Sequence, residues 1–94
     1  MSPPRVGWYG DDFTGASDTL AEQSRAGQRA LLFQGVPSAA QLDAGAQALG
    51  GPLDAVGIAG AARAMSPDAM ARELAPVGEF FARLAPPVLH YKVC

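Results

Sequence analysis

The sequence has very few of the residues that mark disulfide-rich, metal-binding or membrane-spanning proteins. Its 94 residues include one cysteine, Cys94, and one histidine, His90. A single cysteine excludes an internal disulfide, and two potential ligands on one segment are too few for a zinc site. No apolar run approaches the roughly 20 residues that a membrane-spanning helix needs, and no signal-peptide stretch precedes the first apolar segment. These absences predict a soluble protein of a reducing compartment, and we expect it in the cytoplasm.

An excess of positive charge and the familiar nucleotide-binding motifs are also missing. Seven Lys and Arg residues against nine Asp and Glu give a net charge of −2, which predicts no nucleic-acid partner and no contact with an anionic membrane. The chain carries no G-x-x-x-x-G-K-[ST] phosphate loop and no G-x-G-x-x-G fingerprint after its first apolar segment. The D-x-D pattern of aspartyl-nucleophile phosphotransferases is absent because Phe13 stands two residues after Asp11.

The apolar segments that are present alternate with helical patterns. Strands are predicted at residues 5–9, 29–33, 53–60 and 88–94, the second of them mostly buried. Helices are predicted from residue 14 or 15 to 26, weakly over 38–49 with Ser38 as the cap, and from a cap at Ser66 along an apolar face that reaches Leu84. Pro76 falls inside that last pattern and predicts a kink or a break near Ala75. The alternation predicts a three-layer, Rossmann-like α/β fold with a parallel sheet and right-handed βαβ crossovers.

The most informative segment is the turn between the first strand and the first helix. Asp11 and Asp12 stand there side by side between Gly10 and Gly15. In a parallel sheet this turn lies at the carboxyl edge, where ligands bind. Acidic side chains at such an edge accept hydrogen bonds from a polyol or hold Mg²⁺, and the glycines allow a close backbone approach. Helix capping is the structural alternative, but it accounts for one acid rather than two in a row. We therefore predict a binding site at this turn.

Three further charged residues are expected at or near the same edge. Arg63 follows the third predicted strand, Lys92 lies near the end of the fourth, and Asp18 lies in the first helix. Arginine and lysine beside carboxylates suit a substrate that carries both hydroxyls and an acid group. The alternatives stay open for each residue: Asp18 as a surface acid, Arg63 as a loop residue, and Lys92 as a strand end that reaches solvent.

Three segments of the sequence resemble a known family. Residues 11–18 look like the N-terminal signature of the four-carbon acid sugar kinases, and the resemblance continues through residues 56–67 and 90–94. It covers nearly the whole chain, with the motifs in the expected order and spacing. The ending Tyr91-Lys92-Val93-Cys94 is most similar to the 3-oxo-tetronate kinase branch.

The resemblance implies an ATP-dependent kinase that phosphorylates the terminal hydroxyl of a four-carbon sugar acid. In that family the N-terminal domain binds the sugar acid, and a separate C-terminal domain binds ATP and Mg²⁺. By motif position, Asp11 and Asp12 would contact substrate hydroxyls, with Asp12 as the candidate general base. Arg63 and Lys92 would meet the acid end or the migrating charge, and Asp18 is a further substrate-binding candidate.

The chain stops inside its last predicted strand, so we expect an N-terminal fragment with a sheet that is incomplete at the C-terminus. Residues 1–94 would then form part of the sugar-acid-binding domain and lack the nucleotide-binding domain. We expect such a chain to bind a small sugar acid, to hold no cofactor of its own and to have no kinase activity alone. Two alternatives stay open: a non-catalytic sugar-acid-binding module, and an inactive truncated remnant with an exposed sheet edge.

Overall fold

Strands and helices alternate along the whole described part of the chain. A computed structural model describes residues 3–92. Its elements are β1 (Val6–Gly10), α1 (Phe13–Arg25), β2 (Ala30–Phe33), α2 (Ala39–Ala48), β3 (Ala55–Ala59), a short 3-10 turn (Ala62–Ala64), α3 (Pro67–Leu84) and β4 (Val88–Lys92). The predicted order of strands and helices is confirmed, including the weakly patterned α2. The last two predicted strand residues, Val93 and Cys94, lie outside the described residues.

The four strands form one parallel sheet in the order β2-β3-β1-β4. The two central strands, β1 and β3, are therefore paired on both sides, and β2 and β4 lie at the edges. Gly10 at the end of β1 is in register with Ala59 of β3 and with Lys92 of β4. Three strands thus end level with one another, which brings the segments that follow them to one edge of the sheet.

Helices cover both faces of the sheet. Neighbouring residues of a strand point to opposite faces, so Trp8 and Tyr9 belong to different apolar clusters. Trp8 packs with Leu20 of α1, and its indole N–H donates to the carbonyl of Ala16 at 3.2 Å. Tyr9 belongs to the cluster that includes Phe81 of α3. The arrangement is the predicted three-layer α/β fold.

Local sequence signals set the helix starts. Ser38 accepts a hydrogen bond from the Gln41 amide, and the Gln41 side chain returns one to the Ser38 amide, forming a capping box. Ser66 caps α3 through the Ala69 amide, with proline at the first helical position. Both predicted caps are confirmed. The first helix begins one or two residues earlier than predicted, because its cap is Asp12.

Helix α3 does not break at Pro76. It runs without interruption from Pro67 to Leu84, so of the kink or break predicted near Ala75 the break is wrong. Val77, Phe80 and Phe81 are buried against the sheet on the C-terminal side of the proline. Their burial stabilises the half of the helix that follows the proline, although proline removes one backbone hydrogen bond.

The second strand is less buried than its apolar run predicts. Ala30 is buried, but the other three residues of β2 are only half-buried. The reason is its place at the sheet edge, which continuous apolar character alone does not reveal. Within residues 3–92, none of the helices combines the length and apolar character that crossing a membrane requires.

Candidate functional site

The acid turn, which consists of Asp11 and Asp12, lies directly after the central strand β1. Asp11 and Asp12 follow Gly10, and the amide of Gly60, which follows β3, donates to the carbonyl of Gly10 at 3.0 Å. This bond ties the turn to the loop after β3. A side chain on Gly10 would collide with Ala16, so this glycine serves the close packing of β1 against α1.

Asp12 is the N-terminal cap of α1. Its Oδ1 accepts a hydrogen bond of 2.8 Å from the Gly15 amide, and its backbone is extended, as expected of a cap. Helix capping, which the sequence analysis gave as the structural alternative for one acid, is therefore the role of Asp12. The bond also fixes the orientation of the Asp12 carboxylate in the turn after β1.

Asp11 has no such structural role. The residue is 6% exposed, and its Oδ1 is buried with no hydrogen-bond partner among the described residues. A buried carboxylate oxygen without a donor is unfavourable by about 1–3 kcal/mol or more. Asp11 lines the acid-turn cavity, a space of ≈ 480 Å³ that is also lined by Asp12, Phe13, Gly60, Ala61 and Ala64. The arrangement therefore offers a hydrogen-bond acceptor to a donor that enters this cavity.

Two tyrosines lie close to Asp11. The rings of Tyr9 and Tyr91 stand side by side on β1 and β4, with centroids 5.2 Å apart. Burial raises the pKa of Tyr91 above its ordinary value, and the negative charge of Asp11 adds to the shift. Burial also raises the pKa of Tyr9, and the charge of Glu73 is the next contribution. Both hydroxyls are therefore neutral near pH 7, and they lie near an acid whose Oδ1 lacks a hydrogen-bond partner among the described residues.

The backbone places two of the three other predicted residues at this edge. Arg63 is the middle residue of the 3-10 turn after β3, and Lys92 ends β4 in register with Gly10. Asp18, by contrast, is exposed on α1 and does not line the acid-turn cavity. Its predicted role in substrate binding has no geometric support.

Sequence reasoning missed Glu73. Its Oε2 accepts a hydrogen bond of 3.2 Å from the Ala61 amide, so a helix side chain holds the loop that lines the cavity. Glu73 is half-buried and lies three residues after Met70 and four before Val77, on the apolar face of α3. The sequence pattern could have indicated this role, because an acidic residue within an apolar helix face needs a hydrogen-bond partner in the fold.

Metal ligands are sparse in the described part of the chain. Within it, no group of three or more His, Cys, Asp or Glu side chains stands close enough together to hold a metal ion.

Comparison with known proteins identifies the kind of domain. The model of a family described as a sugar-binding N-terminal domain matches residues 6–94. A protein of Paraburkholderia graminis named 3-oxo-isoapionate kinase is 36% identical over 89 residues, which cover 95% of this chain. The same alignment covers 18% of that kinase, so the chain spans about a fifth of the length of its relative. No solved structure gave a significant match.

Proposed function

The chain belongs to the family of sugar-binding N-terminal domains, and on that premise we propose that it is the substrate-binding part of an ATP-dependent kinase for four-carbon acid sugars. The kinase would phosphorylate the terminal hydroxyl of its substrate. The kinase relative supports the reaction class. The acid turn supports a substrate that carries hydroxyl groups.

The observation that carries the proposal is the buried, unpartnered Oδ1 of Asp11. A sugar hydroxyl supplies the hydrogen-bond donor that this oxygen lacks, and bonds to charged acceptors are the stronger ones. A substrate carboxylate would be repelled from the same place. We therefore propose that the acid group of the substrate points toward Lys92 at the end of β4, and that Arg63, in the 3-10 turn after β3, meets the migrating charge.

ATP does not suit this cavity. Its two carboxylates repel a triphosphate, and the chain has no glycine-rich phosphate loop. We propose that ATP and Mg²⁺ are bound by another domain in a kinase of this type. Phosphoryl transfer depends mainly on alignment and charge neutralisation, so the contribution of this chain is to hold the acceptor hydroxyl in place. Asp12, with its carboxylate direction fixed by the Gly15 amide, is the candidate to receive the hydroxyl proton.

The substrate class can be narrowed further. The residues Tyr91-Lys92-Val93-Cys94 resemble the 3-oxo-tetronate kinase branch, and the relative is named for a 3-oxo sugar acid. We propose a 3-oxo-tetronate or a close analogue as the substrate.

Titration calorimetry of the 94-residue chain with threonate, erythronate and their 3-oxo forms tests the proposal. We expect Asp11→Asn to weaken binding about tenfold or more, because it removes the charge of the acceptor. The same change relieves a buried charge, so the free energy of unfolding should not fall. Asp43→Asn, at an exposed position on α2, is the matched control.

A coupled ATP assay on the same samples separates binding from turnover. We expect no turnover from this chain alone. The proposal is wrong if no sugar acid binds, or if Asp11→Asn binds as tightly as the unaltered chain.

A further inference from the structure

The loop between β3 and α3 is held from the side by a helix residue. This loop, residues 60–65, carries Arg63 and forms one wall of the acid-turn cavity. Oε2 of Glu73 accepts a hydrogen bond of 3.2 Å from the Ala61 amide. Glu73 stands seven residues after the cap Ser66, which is about 10 Å along the helix axis. The loop therefore folds back along the first two turns of α3, and Glu73 bonds to its far end.

Ala61 is the residue on which the 3-10 turn is built. It stands at the cap position of that turn, and its side chain offers no capping group. Its carbonyl accepts a hydrogen bond of 3.1 Å from the Ala64 amide, which closes the turn around the backbone of Arg63. Because the amide of the same residue bonds to Glu73, this helix side chain fixes the start of the turn that carries Arg63.

The loop is also tied to the acid turn. Gly60, which precedes Ala61, donates to the carbonyl of Gly10 at 3.0 Å, and Asp11 follows Gly10 directly. On one side the loop is thus bonded to β1, and on the other it is bonded to α3 through Glu73. The second bond therefore sets how the 3-10 turn lies relative to the two acids.

We propose that Glu73 is a positioning residue for phosphoryl transfer, because its bond to the Ala61 amide holds the backbone of Arg63 in the place from which Arg63 meets the migrating charge. This inference rests on the proposed function and deepens it. Phosphoryl transfer depends on the alignment of charged groups, so a small displacement of the turn is costly. The negative charge of Glu73 opposes a phosphate, so its contribution comes from the hydrogen bond rather than from the charge.

Titration calorimetry with threonate and with threonate 4-phosphate tests this role. The second ligand is the product of phosphorylating the terminal hydroxyl, and only this ligand carries the group assigned to Arg63. We expect Glu73→Ala to weaken binding of the phosphate ester about tenfold and binding of threonate less than about twofold. Glu79→Ala, at an exposed position on the same helix, is the matched control and should change neither affinity.

Two conservative variants separate the hydrogen bond from the charge. Glu73→Gln keeps an acceptor for the Ala61 amide without the charge, and it should bind the ester as tightly as the unaltered chain. Glu73→Asp keeps the charge but is one methylene shorter, and it should act like Glu73→Ala. The Ala61 amide resonance in an NMR spectrum should shift in Glu73→Asp and stay in place in Glu73→Gln.

A double-variant cycle tests whether Glu73 acts through Arg63. Arg63→Ala alone should weaken binding of the ester by a similar factor. In the Arg63→Ala background, Glu73→Ala should lower the affinity by less than about a further twofold, because both changes remove the same interaction.

Equal losses for the two ligands would make Glu73 a merely structural residue and overturn the inference. Additive effects in the cycle, failure of Glu73→Gln to bind the ester normally, or tighter ester binding in Glu73→Ala would also overturn it. If Asp11→Asn still weakens threonate binding in those cases, the proposed function stands without the positioning role. If neither ligand binds the unaltered chain, both are wrong.

Discussion

Tyr9 combines two roles in a single residue. Its ring belongs to the apolar cluster under α3, while its hydroxyl ends beneath Gly60, close to the backbone of Ala62. A side chain at position 60 would occupy the place of this hydroxyl, so glycine is required there. The sequence places Tyr9 in a predicted strand. It does not reveal where the hydroxyl ends, because that depends on the neighbouring strand.

Tyr9→Phe should change the response of stability to alkaline pH. The pKa of Tyr9 is raised in the folded state by burial and by the charge of Glu73, whereas an unfolded tyrosine titrates near pH 10. The unfolded chain therefore loses its proton first, and stability falls as pH rises above about 10 toward the folded pKa. Tyr9→Phe should reduce this fall, and at pH 7 it should change the free energy of unfolding by no more than about 1 kcal/mol.

Urea unfolding at pH 7 and at several values from pH 9 to 11 measures the effect. Tyr91→Phe is the control, since Tyr91 also has a raised pKa but is 43% exposed and should contribute less. An unchanged alkaline slope in Tyr9→Phe would contradict the assignment.

At the scale of the helices and strands, the sequence predicts features set by local signals better than features set by tertiary packing. The caps Ser38 and Ser66 follow from the sequence because a cap bonds to amides within three residues of itself. Helix α3 continues through Pro76 because Val77 and Phe81 pack on a sheet that is distant in sequence. Local rules for proline could not include that contribution.

Pro76→Ala should stabilise the protein. Pro76 is exposed in the middle of α3, where it lacks the N–H that would bond to the preceding turn. Restoring that bond should raise the free energy of unfolding by about 1–3 kcal/mol, measured by urea or thermal unfolding. Pro67→Ala is the matched control, because the first helical residue has no intrahelical partner for its N–H and should gain little. A loss of stability in Pro76→Ala would show that the helix depends on its proline.

On the scale of the whole molecule, the carboxyl edge of the sheet is the part that the sequence predicted best. A parallel sheet brings the ends of its strands to one edge, so Asp11 and the backbone of Arg63 and Lys92 were expected there and lie there. The unpartnered Oδ1 of Asp11 and the contact of Glu73 with the loop depend on side-chain placement between elements that are far apart in sequence. No local pattern encodes such a contact.

Strand β4 forms one lateral edge of the sheet, opposite to β2. Val88, Leu89 and Tyr91 are 55%, 57% and 43% exposed, and Leu89 and Tyr91 border a cavity of ≈ 330 Å³ against Phe81 of α3. In the described part of the chain, β4 pairs only with β1. An exposed apolar edge strand favours pairing with other chains. We therefore expect this chain to self-associate through β4.

Leu89→Lys should reduce that association, because a charged side chain on an edge strand opposes pairing. Light scattering coupled to size-exclusion chromatography over a range of concentrations measures it, and the apparent mass should fall toward the 9.7 kDa of one chain. Leu49→Lys, at a position that is 41% exposed after α2, is the control for added charge and should have little effect. If the unaltered chain stays monomeric at the highest concentrations, or if both variants act alike, the edge of β4 does not drive association. A selective effect at Leu89 would instead locate the surface through which copies of the chain associate, at the edge of the sheet opposite to β2.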